Sequence, residues 1–169
     1  MGMFDAYLTY FENLARNHTS ILHSDTEKRF FRMNVSELAG NLKSGIKFPC
    51  LVLESFEVRI DANNSDHTAK VITAAFSIID VVPKVGDYAR ENEVLDALEP
   101  VVCDFIARLW YDSLQQTDGA EFLATLNRDA IEYNKIGPVW NNMFGWRCVF
   151  ECHDHIDMDV DVSKWGDID

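Results

Sequence analysis

No apolar run in this sequence approaches the ~20 residues that a membrane-spanning helix needs. The first residues lack a basic flank leading into an apolar stretch, so no signal peptide is expected. Ala6 stands where a myristoylation pattern wants Ser or Thr. Without an export signal, the Asn-x-Ser/Thr matches at Asn17, Asn34 and Asn63 carry no glycosylation meaning. For the same reason Cys50, Cys103, Cys148 and Cys152 are expected as reduced core thiols rather than disulfides. Positive charge is also scarce. Fifteen Lys and Arg stand against 28 Asp and Glu, a net charge of −13. Such a surface repels phosphate backbones, which disfavours nucleic acid as a partner. The one small basic cluster is Lys28-Arg29 with Arg32. An acidic surface suits solubility or docking to a basic protein. There is no Walker loop, no Gly-x-Gly-x-x-Gly, no Gly-x-Ser-x-Gly and no family-like Cys–His arrangement. No catalytic residue and no cofactor is therefore assigned.

The chain does carry clear periodicities. Its 169 residues suit one domain with one core, and no repeat or low-complexity linker divides them. Phe4, Tyr7, Leu8, Phe11, Leu14, Ala15, His18, Ile21 and Leu22 recur at helical spacing, which predicts an amphipathic helix from Met3 to His23. Arg29–Met33 reads as a short strand and Ser36–Leu42 as a short helix closed by Gly45. Pro49–Ile60 reads as a strand with Cys50, Val52, Phe56, Val58 and Ile60 on one face. Asn63-Asn64-Ser65-Asp66 is turn chemistry, and Ala69–Val82 is apolar on both faces, as a central strand is. Together they predict a long antiparallel hairpin with a projecting tip at Ile60–Thr68. Glu91–Ser113 reads as a second helix, kinked or restarted at Pro100. Ile131–Trp140 and Phe144–His153 read as a second strand pair. Helix, hairpin, helix, hairpin gives an α+β two-layer sandwich: an antiparallel or mixed sheet with two main helices on one face.

Three groups of residues invite a functional reading. His153, His155, Asp157 and Asp159, with Cys148 and Cys152, look like metal ligands. Cys148 and Cys152, however, are four residues apart on a strand, roughly 13 Å, too far for one zinc. The acidic tail from about Asp154 reads as frayed or as an edge; within it Ile156, Met158, Val160 and Val162 alternate with Asp157, Asp159 and Asp161, the pattern of a half-exposed strand with a solvated acidic face. Glu54 and Asp80 each interrupt an apolar strand face, and close, buried carboxylates could do acid–base work. A bulge that turns Glu54 outward, and a strand end that wets Asp80, explain them without chemistry. His18, on the apolar side of the first helix, reads as a packed or rim histidine. Trp140, Met143, Phe144 and Trp146 crowd a segment that also holds Gly137-Pro138 and Gly145. They either cap the core or form a partner surface that receives the hairpin tip at Asn63 and Asn64 of a neighbour.

The Phe48-Pro-Cys-Leu-Val-Leu-Glu54 opening, the long hairpin, the Glu91–Ser113 helix and the final Trp146-Arg-Cys-Val-Phe-Glu-Cys152 strand together resemble bacteriophage tail-completion proteins of the tail terminator type. The stretch from Phe30-Phe31 to Glu54 is also similar to uncharacterised proteins from bacterial genomes with phage-like regions. The resemblance implies a non-enzymatic structural subunit that self-associates as a ring or connector alongside other tail or particle proteins. Its expected location is the cytoplasm or the virion or particle itself. Two other classes stand beside it: a small metal-binding or hydrolytic enzyme using the C-terminal His/Asp cluster, and a cytoplasmic adaptor for a basic protein.

Overall fold

The computed structural model describes residues 2–33, 45–61, 68–139, 142–156 and 158–167. Helix α1 spans Met3–Asn17. Strands β1 (Lys28–Arg32), β2 (Ile46–Leu53), β3 (Glu57–Asp61) and β4 (Ala69–Val81) follow. Helix α2 (Tyr88–Gln115), a 3-10 turn at Glu121–Leu123, and strands β5 (Leu126–Val139) and β6 (Met143–His155) complete the fold. The six strands make one mixed sheet in the order β1-β2-β4-β6-β5, with β3 also paired to β4. Among the described residues only the β1–β2 pair is parallel. The fold is the α+β layering that the sequence predicts.

Alternation along the strands decides the layers. Leu51 and Leu53 of β2, Ile72, Ala74, Phe76 and Ile78 of β4, and Cys148, Phe150 and Cys152 of β6 belong to one buried cluster. Both helices supply the same cluster, α1 through Tyr7, Phe11 and Leu14, α2 through Val94, Leu98, Val102 and Phe105. Phe11 is the centre of this layer. Its ring lies 5.5 Å from that of Phe76 and 6.0 Å from that of Phe150. Burying a side chain of this size contributes about 2 to 3 kcal/mol, so the helix stripe is what holds α1 to the sheet. On the other face Cys50, Val52, Ile79 and Met143 form a second, smaller cluster, flanked by Phe31, Met33 and Phe48.

Helix α2 starts where Asp87 accepts the Arg90 N–H at 3.1 Å. It runs through Pro100, which sits on its exposed side. It ends at Gln116 in the left-handed region, whose N–H donates to the Asp112 carbonyl.

Three expectations are corrected. Helix α1 stops at Asn17 rather than His23, because the chain turns back at His18: the Ile21 and Leu22 N–H groups donate to the His18 carbonyl, and the His23 N–H to that of Ala15. Ile21 is still fully buried, so the apolar spacing was real but belonged to a turn. The predicted strand Pro49–Ile60 is two strands. Leu53 pairs with Phe76 while Glu57 pairs with Thr73, so the β2–β3 side carries one extra residue against β4. A one-residue slip exchanges faces. Cys50 and Val52 therefore face the second cluster, Phe56 packs on the main one, and Val58 and Ile60 are exposed. After His155 no described residue is in a strand, and Met158, Val160 and Val162, expected on a half-buried face, are exposed. The short helix at Ser36–Leu42 and most of the hairpin tip, residues 62–67, lie outside the described residues.

Candidate functional site

Glu54 sits in the three-residue gap between β2 and β3, where its N–H donates to the Ala75 carbonyl. The extra residue there frees its side chain from the strand's alternation. The carboxylate takes a two-pronged contact from Arg147 of β6, Nε to Oε1 at 2.7 Å and Nη2 to Oε2 at 2.9 Å. Its carbonyl accepts the Tyr7 hydroxyl at 2.8 Å, tying α1 to the same point. Asp80 lies five residues from Ala75 along β4, roughly 17 Å. Its Oδ1 accepts the Val81 N–H at 2.6 Å. Burial raises the Asp80 carboxyl above the ordinary range, while that hydrogen bond and the Arg90 and Arg29 charges pull it down. Glu54 and Asp80 do not come together. Each has its own structural partner, and no shared proton can pass between them.

A third carboxylate, unnoticed in the sequence, is the most fully enclosed. Asp112 on α2 is buried. Its Oδ2 accepts the Tyr10 hydroxyl at 2.8 Å and Arg108 Nε at 2.7 Å, and its Oδ1 accepts the Thr117 hydroxyl at 2.9 Å. Burial, then the Asp112 hydrogen bond, raises the Tyr10 hydroxyl well above its usual range. Asp112 thus locks α1 against the end of α2. Its charge is paired and hydrogen-bonded, which is how a buried carboxylate is kept. The signal in the sequence was weak: an Asp inside a helix, four residues after Arg108, reads as a surface pair.

The histidines do not converge. His153 Nε2 is 3.3 Å from Glu151 Oε2 on β6, while His155 ends the strand. Asp157 lies outside the described residues, and Asp159 is on the exposed stretch after β6. Among the described residues no three His, Cys, Asp or Glu side chains are placed to hold a metal ion. His18 is the cap residue of α1. Its ring lies 5.1 Å from that of Phe105, and its Nε2 is 3.3 Å from Asp104. Cys50, Cys148 and Cys152 are buried and unpaired, and Cys103 is exposed on α2. Burial pushes the Cys148 and Cys152 thiols up to about 12, so neither is a ready thiolate at neutral pH.

Of the two readings of the aromatic segment, core cap or partner surface, Met143 and Phe144 fit the first. Met143 and Phe144 are buried. The Trp146 indole N–H donates to the Leu95 carbonyl at 3.0 Å, and its ring packs edge-on to Tyr133 at 5.6 Å. Strand β6 lies between β4 and β5, so both its edges are paired, and Trp146 is half-buried. Gly145 is there because β4 passes so close: a Cβ would stand 1.9 Å from the Ile78 carbonyl oxygen. Trp140, Asn63 and Asn64 lie outside the described residues.

Large apolar side chains are left in water elsewhere. Met158, Val160, Val162 and Trp165, on the stretch after β6, are each at least half exposed. Trp110, Tyr111 and Leu114 are exposed at the C-terminal end of α2. At the sheet's end, β1 carries Lys28, Arg29 and Arg32, the basic cluster seen in the sequence. Among the described residues, no helix is long and apolar enough to cross a membrane. No protein-family model, no curated protein and no solved structure matches the chain.

Proposed function

We propose that this protein is a non-enzymatic structural subunit of a phage tail or phage-tail-like particle, self-associating as a ring or connector. The observation that carries self-association is the stretch from Met158 to Trp165, whose four large apolar side chains lie in solvent beside Asp159 and Asp161. Apolar side chains grouped in this way are what an interaction surface presents. The layout of helix, split hairpin, helix and hairpin supports the tail-terminator reading. So do the roles of Glu54 and Asp112, each bonded to a side chain of another element. Native mass spectrometry and light scattering over rising protein concentration test the proposal. Discrete closed species at multiples of 19.4 kDa are expected. A strict monomer at millimolar concentration removes it, and a gene neighbourhood without tail-tube, sheath or portal genes removes the particle assignment.

A further inference from the structure

We infer that Met158–Val162 of one copy adds as a strand to the outer edge of β1 in a neighbouring copy. This rests on the self-association proposed above and names its interface. Strand β1 ends the sheet and, among the described residues, is paired only with β2. The Met33 N–H donates to the Leu53 carbonyl, so alternation turns the N–H and C=O groups of Phe30 and Arg32 away from β2. An outward row of this kind is a template for another chain. Beside it runs an open groove of about 590 Å³, lined on the β1 side by Lys28, Phe31 and Arg32 and on the other by Arg16 with its paired carboxylates Glu12 and Asp25.

The occupant follows from chemistry. Met158-Asp-Val-Asp-Val162 alternates apolar and acidic residues with the period of a strand, yet it is in no strand, and its three apolar side chains are half or more exposed. Its five residues equal the length of β1. The two faces of β1 match its two sides. Phe30 packs on the main cluster and Arg32 lies over the Phe4 ring of α1 at 5.7 Å, which sets the helix-layer face. Phe31 and Met33 belong to the second cluster on the other face. With Asp159 and Asp161 on the side of Arg32, Met158, Val160 and Val162 continue the second cluster past Phe31. The short 3-10 turn at Val162–Lys164, capped by Asp161, ends the added strand. The pairing sets Asp159 and Asp161, the latter also bridged to Lys164 at 3.0 Å, against Lys28 and Arg32 in a chain whose net charge is −13. A neighbour is favoured over the same copy by topology. The chain leaves β6 at His155, opposite Ala69, where β3 occupies the position beside β4, and β1 lies beyond β2 at the other half of the sheet. Donor and acceptor are different surfaces, so the contact is heterologous and can close into a ring.

Sedimentation velocity on three full-length proteins tests this: the wild type, Asp159→Lys with Asp161→Lys, and Lys28→Glu with Arg32→Glu. The wild type is expected to assemble, and each variant alone to need at least tenfold more protein to do so, with circular dichroism spectra that match the wild type's. An equal mixture of the two variants pairs charges at every junction, acidic segment on basic edge and the reverse, so it should assemble again. Val160→Pro, which removes one strand N–H, should weaken assembly without recovery in any mixture. If both charge variants assemble like the wild type, or the mixture stays monomeric, the strand addition is wrong and self-association stands. If the wild type itself stays monomeric, both fall together.

Discussion

A carboxylate among apolar neighbours has two meanings, and its partners separate them. Glu54 meets Arg147 with both oxygens, and Asp112 collects Tyr10, Arg108 and Thr117. Asp80 is the exception, because its Oδ1 accepts from the next backbone N–H and burial raises its carboxyl. A raised carboxyl means the folded chain holds its proton to higher pH than the unfolded chain. Between the unfolded value near 3.9 and the raised one, the folded state binds more protons, so stability falls as pH rises through that window. Asp80→Asn keeps the oxygen that accepts from Val81 and removes the charge. The variant is expected to melt about 1 to 3 °C above the wild type at pH 7, with the gain gone below about pH 4. Calorimetry at both pH values checks it, and an equal or lower melting temperature at pH 7 shows that Asp80 is stabilised as an anion. The interruption at Glu54 was legible in the sequence and fell where a bulge was expected. Asp112 was not legible, because its partners Tyr10 and Thr117 come from outside its own helix face and a single sequence does not give tertiary neighbours.

At the scale of elements, period and breaker residues located both helices and the second strand pair, because each buries one stripe or one face. What they could not locate was register. The predicted face Cys50, Val52, Phe56, Val58 and Ile60 failed at one extra residue, a slip that leaves composition and spacing intact. The aromatic segment before β6 left core cap and partner surface open, and Met143 and Phe144 take the core place. Glycine beside aromatics resembles an exposed loop, but Gly145 is present because β4 and β6 approach too closely there for any side chain. Gly145→Ala would place its Cβ 1.9 Å from the Ile78 carbonyl oxygen. Backbone cannot yield at the centre of a five-strand path without parting the ladder that joins Ile78 and Ile79 to Trp146 and Gly145. The substitution is expected to cost about 3 kcal/mol or more, or to prevent folding. Chemical denaturation of the purified variant measures this, and a loss under about 1 kcal/mol would mean the two strands can move apart freely.

For the whole molecule, charge acts on two length scales. A net charge of −13 makes copies repel across their full size, while the proposed contact between the Asp159–Asp161 stretch and Lys28 and Arg32 would act over a few ångströms. The screening length falls from about 30 Å at 0.01 M salt to about 8 Å at 0.15 M and 3 Å at 1 M. The first interval removes most of the repulsion between copies and leaves a close contact largely intact. The second also screens exposed charge pairs in the contact, while strengthening apolar burial only if the salt is a strongly excluded one. With sodium chloride, assembly should therefore strengthen from 0.01 to about 0.15 M and weaken again toward 1 M. The variant carrying Lys28→Glu and Arg32→Glu adds four negative charges to the net and removes the local attraction. It should respond to salt in one direction only, with whatever association it retains rising throughout. Sedimentation velocity across the series reads both curves. A wild-type curve that only rises would mean that apolar contact alone holds the copies, and one that only falls would mean that local charge pairing outweighs the repulsion at every distance.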